Sequence, residues 1–143
     1  MPDFDYQQHY ADLARDTTWT IELPETWGGF FDESGVLPSF PGDIRRSQRR
    51  VARTYGLARI DGPLPAIPRS AELFGIYTKD FSKNAIGLIS PMELYPVERL
   101  QLILPTCWLS LKVIRCRRHN SGCYEIGAKL LHHHEPDEVA FTE

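Results

Sequence analysis

The chain has 143 residues, enough for one domain with a core of its own and short for two, and its 42% hydrophobic content is that of an ordinary globular protein. A formal net charge of −3 argues against coating nucleic acid, which needs cations spread along a face, and no apolar run approaches the length of a membrane span. Three cysteines, Cys107, Cys116 and Cys123, are an odd number and point to reduced thiols rather than a disulfide framework. With an acidic start at Met1-Pro2-Asp3-Phe4-Asp5, unlike a signal peptide, the expected compartment is the cytoplasm.

In chain order, Tyr6, Tyr10 and Leu13 fall at i, i+4 and i+7 behind Asp3 or Asp5 as N-cap, which predicts a short amphipathic helix over residues 4–15. Trp19-Thr20-Ile21-Glu22-Leu23 alternates apolar and polar residues before Pro24 and reads as a short strand. From Glu25 to Asp43 the composition is rich in Pro, Gly and aromatics, so a long loop is expected, its rings packed on the body of the protein rather than stacked on a ligand.

Arg45-Arg46-Ser47-Gln48-Arg49-Arg50 then places four guanidiniums in six positions of an otherwise slightly acidic chain. Arginine's planar fork matches phosphate oxygens and the O6/N7 edge of guanine, so the segment asks for an anion and fits a nucleotide.

Val51 to Ile60 opens the β region and Asp61-Gly62-Pro63-Leu64-Pro65 interrupts it. Phe74 to Thr78 leads into Asp80-Phe81-Ser82, and Ala85 to Ser90, Arg99 to Leu104 and Trp108 to Arg118 read as further strands. Leu109, Leu111 and Val113 alternate inward. Asn120-Ser121-Gly122 has the chemistry of a hairpin turn, and the return strand puts Tyr124, Ile126, Ala128 and Leu130 on one face with Glu125, Gly127 and Lys129 on the other. Short strands, turns between them and almost no helix argue an antiparallel barrel or sandwich. In an extended segment Asp80 and Ser82 point to the same side, so a carboxylate and a hydroxyl meet a ligand together. Asp80 is suited to accept from guanine N1 and N2.

Arg46-x-x-x-Arg50 followed by Asp80-x-Ser82, with Tyr124-Glu125-Ile126-Gly127-Ala128-Lys129-Leu130 as a third matching segment, resembles the PilZ domain, the bacterial receptor module for cyclic di-GMP. The resemblance covers residues 44–131. It implies a mostly β fold, a six-stranded antiparallel split β-barrel of PilZ type, here with a short N-terminal helix and extension over residues 1–43 and an acidic tail over 132–143. It also implies a ligand set of Arg45, Arg46, Arg50, Asp80, Ser82, Ala85 and Gly87 for cyclic di-GMP, with no cofactor, metal or catalytic residues and a downstream protein partner. One departure is visible. The family's motif glycine falls on Ala85, followed by Gly87, and an alanine forced into a left-handed backbone costs about 1–2 kcal/mol. The arginine register can be read two ways, since Arg45-x-x-x-Arg49 also satisfies the spacing; Arg46 and Arg50 is preferred because Arg45 is then an extra leading arginine and Val51 starts the strand.

Under this reading the four crowded charges keep their loop mobile until a dianion relieves the repulsion, folds the loop onto the barrel and brings the N-terminal segment along. The alternative is a PilZ-like interaction module in motility, pilus or polysaccharide regulation that binds no nucleotide. Neither reading is an enzyme: no Gly-x-Ser-x-Gly, Walker loop or zincin helix occurs. Cys116-x-x-His119-x-x-x-Cys123 with one of His132, His133 or His134 offers zinc ligands at a spacing that fits no strong motif.

Overall fold

The computed structural model describes residues 4–32, 34–36, 50–70 and 72–141. Its elements are helix α1 (Tyr6–Arg15) and strands β1 (Ser34–Val36), β2 (Arg50–Ala52), β3 (Tyr55–Gly62), β4 (Phe74–Phe81), β5 (Ala85–Ser90), β6 (Arg99–Ile103), β7 (Trp108–Asn120) and β8 (Cys123–His134). Three short 3-10 turns complete them, over Glu25–Trp27, Phe30–Asp32 and Glu138–Phe141.

All the pairings are antiparallel, and β4-β3-β6-β7-β8-β5 closes on itself through β4–β5 into a six-stranded barrel. Closure leaves these strands without a free edge. The interior follows the period of two: Ala58 and Ile60, Ile76, Ile86 and Leu88, Leu100 and Leu102, Leu109, Leu111 and Val113, and Ile126 and Ala128 form one buried cluster, with every barrel strand contributing. The β7–β8 hairpin turns where expected, with the Gly122 N–H donating to Asn120 Oδ1 at 2.8 Å.

Two parts of the outer wall are covered. Asp5 caps α1 by accepting from the Gln8 N–H at 3.0 Å, and the helix buries Tyr6 and Tyr10 against Leu57, Ile103 and Trp108. The Tyr6 hydroxyl shares its proton between the Leu104 and Cys107 carbonyls, at 2.7 and 2.8 Å. Burial pushes the Tyr10 hydroxyl up to about 12.

Residues 17–32 then cross the wall as a strap. Trp19, Ile21, Leu23, Trp27 and Phe30 pack on Tyr77, Ile89 and Cys123, so Trp27 and Phe30 of the aromatic-rich stretch lie on the barrel. Trp19 Nε1 donates to the Ile76 carbonyl at 2.9 Å, and its indole fills the place of a side chain at Gly75. The strap also bonds the hairpin turn, the Glu22 N–H donating to Gly122 O at 3.0 Å and Asn120 Nδ2 to Glu22 O at 2.9 Å.

Several boundaries differ from the sequence reading. Residues 19–23 are extended but form no ladder, because their apolar side chains seat on a finished barrel wall. The run from Val51 to Ile60 is two strands: β2 ends at Ala52, Thr54 exchanges bonds with Thr78, and β3 continues to Gly62 through a register shift after Ile60. β1 lies inside the stretch expected to be loop. β8 runs three residues past Leu131, pairing His132, His133 and His134 with Ser110, Leu109 and Trp108.

Candidate functional site

One row of residues crosses the outer wall in register. Val51 of β2 stands opposite Asp80 of β4, Asp80 opposite Gly87 of β5, Gly87 opposite Gly127 of β8, and Gly127 opposite Arg115 of β7. Residues directly opposite in an antiparallel pair share a face, so the row reads carboxylate, two bare glycines, guanidinium. The glycines are the floor. A Cβ on Gly87 would lie 2.6 Å from Asp80 Oδ1, and one on Gly127 would lie 2.8 Å from Arg115 Nε. Both charged side chains thus lie over space that any other residue would fill.

Around this row is a groove of about 350 Å³ whose lining includes Asp80, Ser82, Ala85, Gly87, Arg115 and Lys129. Three bulges shape its surroundings. Between Thr78 and Asp80, between Val113 and Arg115, and between Arg118 and Asn120 the ladder advances two residues on one strand against one on its partner, leaving Lys79, Ile114 and His119 as the extra residues. The first bulge sets Lys79 and Asp80 on the same outer side. Lys79 Nζ lies 2.6 Å from Glu125 Oε2 and 3.8 Å from Asp80 Oδ2, while His119 Nε2 donates to Glu125 Oε1 at 2.8 Å. Burial works against charge on Glu125, but its hydrogen bonds and attraction to Lys79 and His119 outweigh it and hold the carboxyl below its usual range.

Asp80, Ser82, Ala85 and Gly87, which the sequence singles out, come together here. Ser82 is held by the β4–β5 turn, where its N–H and hydroxyl donate to the Ala85 carbonyl at 2.8 and 3.3 Å. Ala85 is not in a left-handed conformation; among the described residues other than glycine only Val97 has positive φ. The alanine in the glycine's place therefore costs no backbone strain, and its methyl narrows the groove.

Arg50 is not brought into the groove. It stands opposite Phe81, whose ring packs on the interior cluster, so Val51 rather than Arg50 shares the face of Asp80. Arg45, Arg46 and the boundary expected at residues 43–44 lie outside the described residues. The chain on either side of residues 37–49 is fixed: Val36 of β1 pairs with Arg50 of β2, and the next residue, Val51, pairs with Asp80.

The sequence reading missed Arg115, Lys79 and the part Gly127 plays as floor. Gly127 opposite Gly87 was within reach once β5 and β8 were paired, but a bulge leaves no mark in an alternation pattern. Cys123 belongs to the cluster under the strap, Cys116 packs against the barrel interior and His119 is bonded to Glu125; among the described residues no group of three metal-binding side chains converges.

No protein-family model, curated protein or solved structure matches this chain. No helix among the described residues is long and apolar enough to cross a membrane.

Proposed function

We propose that the chain is a PilZ-type receptor for cyclic di-GMP whose ligand lies in the groove over Gly87 and Gly127. The observation that carries this reading is the row from Asp80 to Arg115: an acceptor carboxylate lies over one glycine and a guanidinium over the next, side by side in one groove, which suits a guanine with its phosphate beside it. Asp80 accepts from the guanine N–H groups, Ser82 lies beside it at the turn, and Arg115 meets a phosphate or the Hoogsteen edge.

The arginine loop supplies the lid. Arg46 and Arg50 are four steps apart along the chain, a reach of roughly 13–14 Å when extended, and three interstrand spacings from Asp80 to Arg115 are about 14 Å. Arginines rooted beside Asp80 therefore have the length to arch over the whole row. Residues of the helix and of the strap pack on the barrel wall, and in this reading the arginine segment is the part that closes on the ligand. What a protein partner reads is the loop closed over the ligand.

Titration calorimetry with cyclic di-GMP tests the reading. Heat with a micromolar midpoint is expected from the wild type, and its loss from Asp80→Ala and Arg115→Ala. Because side chains alternate along a strand, the double variants Arg46→Ala/Arg50→Ala and Arg45→Ala/Arg49→Ala separate the two readings of the arginine spacing. No heat from the wild type at tens of micromolar would leave the protein as an interaction module that binds no nucleotide.

A further inference from the structure

Next to the groove, and sharing Lys79 and Glu125 with it, is a polar pocket of about 640 Å³. Its floor is the outer wall at Lys79, Arg117, His119 and Glu125, and its other side is the strap, at Thr26, Trp27, Gly28 and Phe30, with Arg53 beside them. That volume is in the range of small-ligand sites.

The pocket is built, and not a gap between charged surface residues. Two separate bulges, at Lys79 in β4 and at His119 in β7, each turn an extra side chain onto Glu125 and occupy both its oxygens, at 2.6 and 2.8 Å. The one carboxylate of the pocket is thereby taken up inside its own wall. Arg117, directly across the ladder from Glu125, carries its charge at the pocket with no side-chain hydrogen bond or ion pair to the described residues. The strap brings rings to the same pocket: Trp27 packs edge-on to His119 with centroids 4.6 Å apart and stacks with Phe30, while the Arg53 guanidinium lies 4.4 Å from the Phe30 centroid. Cationic donors, a neutralised carboxylate and an aromatic wall select an oxyanion carried on a ring.

We propose that this pocket is a second ligand site, distinct from the groove, for a phosphorylated heterocyclic small molecule of mononucleotide size, with Arg117 gripping the phosphate and Trp27 flanking the ring. The proposal does not depend on what the groove binds. Because the strap forms one wall, the occupant also fastens the N-terminal segment to the barrel, tying the pocket to the position of Trp27.

The test is a titration of the ¹⁵N-labelled protein with guanosine 5′-monophosphate, ribose 5-phosphate and inorganic phosphate in turn, following the Trp27 indole N–H (assigned through Trp27→Phe) and the amides of Gly87 and Gly127. The mononucleotide is expected to move Trp27 at millimolar concentration, ribose 5-phosphate and phosphate to do so more weakly, and Arg117→Ala, at an exposed position, to weaken the effect on the order of tenfold. Arg115→Ala should leave the Trp27 response intact. The proposal fails if Trp27 does not move, if only Gly87 and Gly127 respond, if all three probes act alike, if Arg117→Ala changes nothing, or if Arg115→Ala abolishes the Trp27 response. Failure of cyclic di-GMP to bind the groove would leave these signals unaffected, so the two readings fall separately.

Discussion

Asp80 rests against the bare α-carbon of Gly87, so closely that a methyl group there would come within 2.6 Å of its Oδ1. The carboxylate is aimed by what its neighbour lacks, and Gly87→Ala is the smallest change that should re-aim it. Only the end of one side chain has to move, and replacing glycine restricts the unfolded chain, so stability should change by less than about 1 kcal/mol. Ligand affinity at the groove should fall by on the order of tenfold or more, from the loss of a charge-assisted contact. Thermal melting and calorimetry on the same sample separate the two effects; equal loss in both would mean that Gly87 serves the fold instead.

Gly75 makes a different kind of room. A Cβ there would meet Trp19 Cδ1, Nε1 and Cδ2 at 2.6 to 2.8 Å, and a rigid indole held by its bond to the Ile76 carbonyl has no small adjustment available. Gly75→Ala should lift Trp19 and loosen the strap, costing about 1–3 kcal/mol as overpacking does. Limited proteolysis should then cut within residues 17–32 while the barrel survives. Unchanged protection of the strap would show that Trp19 is not its anchor.

That strap explains where sequence reading stopped. Trp19, Ile21 and Leu23 face the barrel while Thr20 and Glu22 face outward, so an extended segment lying on a wall shows the same alternation as a strand within one. The pattern reports two-sidedness and not hydrogen bonding. For β7 and β8 the alternation was decisive, because Leu109, Leu111, Val113, Ile126 and Ala128 are all inside a closed barrel. At the site it was less informative. Asp80, Ser82, Ala85 and Gly87 were found by motif, whereas Lys79 and His119 are extra residues of bulges, which shift the phase of the pattern by one and depend on the partner strand. In the sequence Arg115 is one of a run of basic residues, and only its register with Gly127 gives it a place in the row.

Acid should weaken the contact between the groove and the strap. With Glu125 held below its usual range by Lys79 and His119, its folded-state affinity for protons is lower than in the unfolded chain. Its contribution is therefore fully present above the ordinary carboxylate pKa and is lost as pH falls through the lower folded value. Urea unfolding measured at steps from neutral to acid should show stability declining over that window, with a shallower decline in Glu125→Gln. Parallel curves for the two proteins would remove Glu125 as the cause.

The loop between β5 and β6 hangs on a buried ion pair. Glu98, wholly buried, accepts from Arg69 Nε and Nη2 at 2.9 and 2.7 Å and from the Tyr95 N–H at 2.7 Å. Arg69→Ala would strand that carboxylate, and such losses cost about 3–5 kcal/mol. Chemical denaturation measures it directly, and a cost under about 1 kcal/mol, as for a surface pair, would show that water reaches Glu98.

The residue before that carboxylate is held in an unfavourable backbone state. Val97 has φ of 79°, where a β-branched residue is a genuine outlier, and the residue is 58% exposed, so little packing rewards the strain. The conformation is imposed from both ends: the Val97 N–H donates to the Val113 carbonyl and the Val113 N–H to the Glu98 carbonyl, each at 2.8 Å, while Arg69 holds Glu98 from beneath. Val97→Gly should relieve about 1–2 kcal/mol of strain and give back roughly 0.5–1 kcal/mol in chain entropy, a small net gain in stability. The same substitution made in Arg69→Ala should gain less, because without the ion pair the loop is free to relax by itself. Equal gains in both backgrounds, read from a double-mutant cycle of unfolding free energies, would show that the strain does not come from the Glu98 anchor.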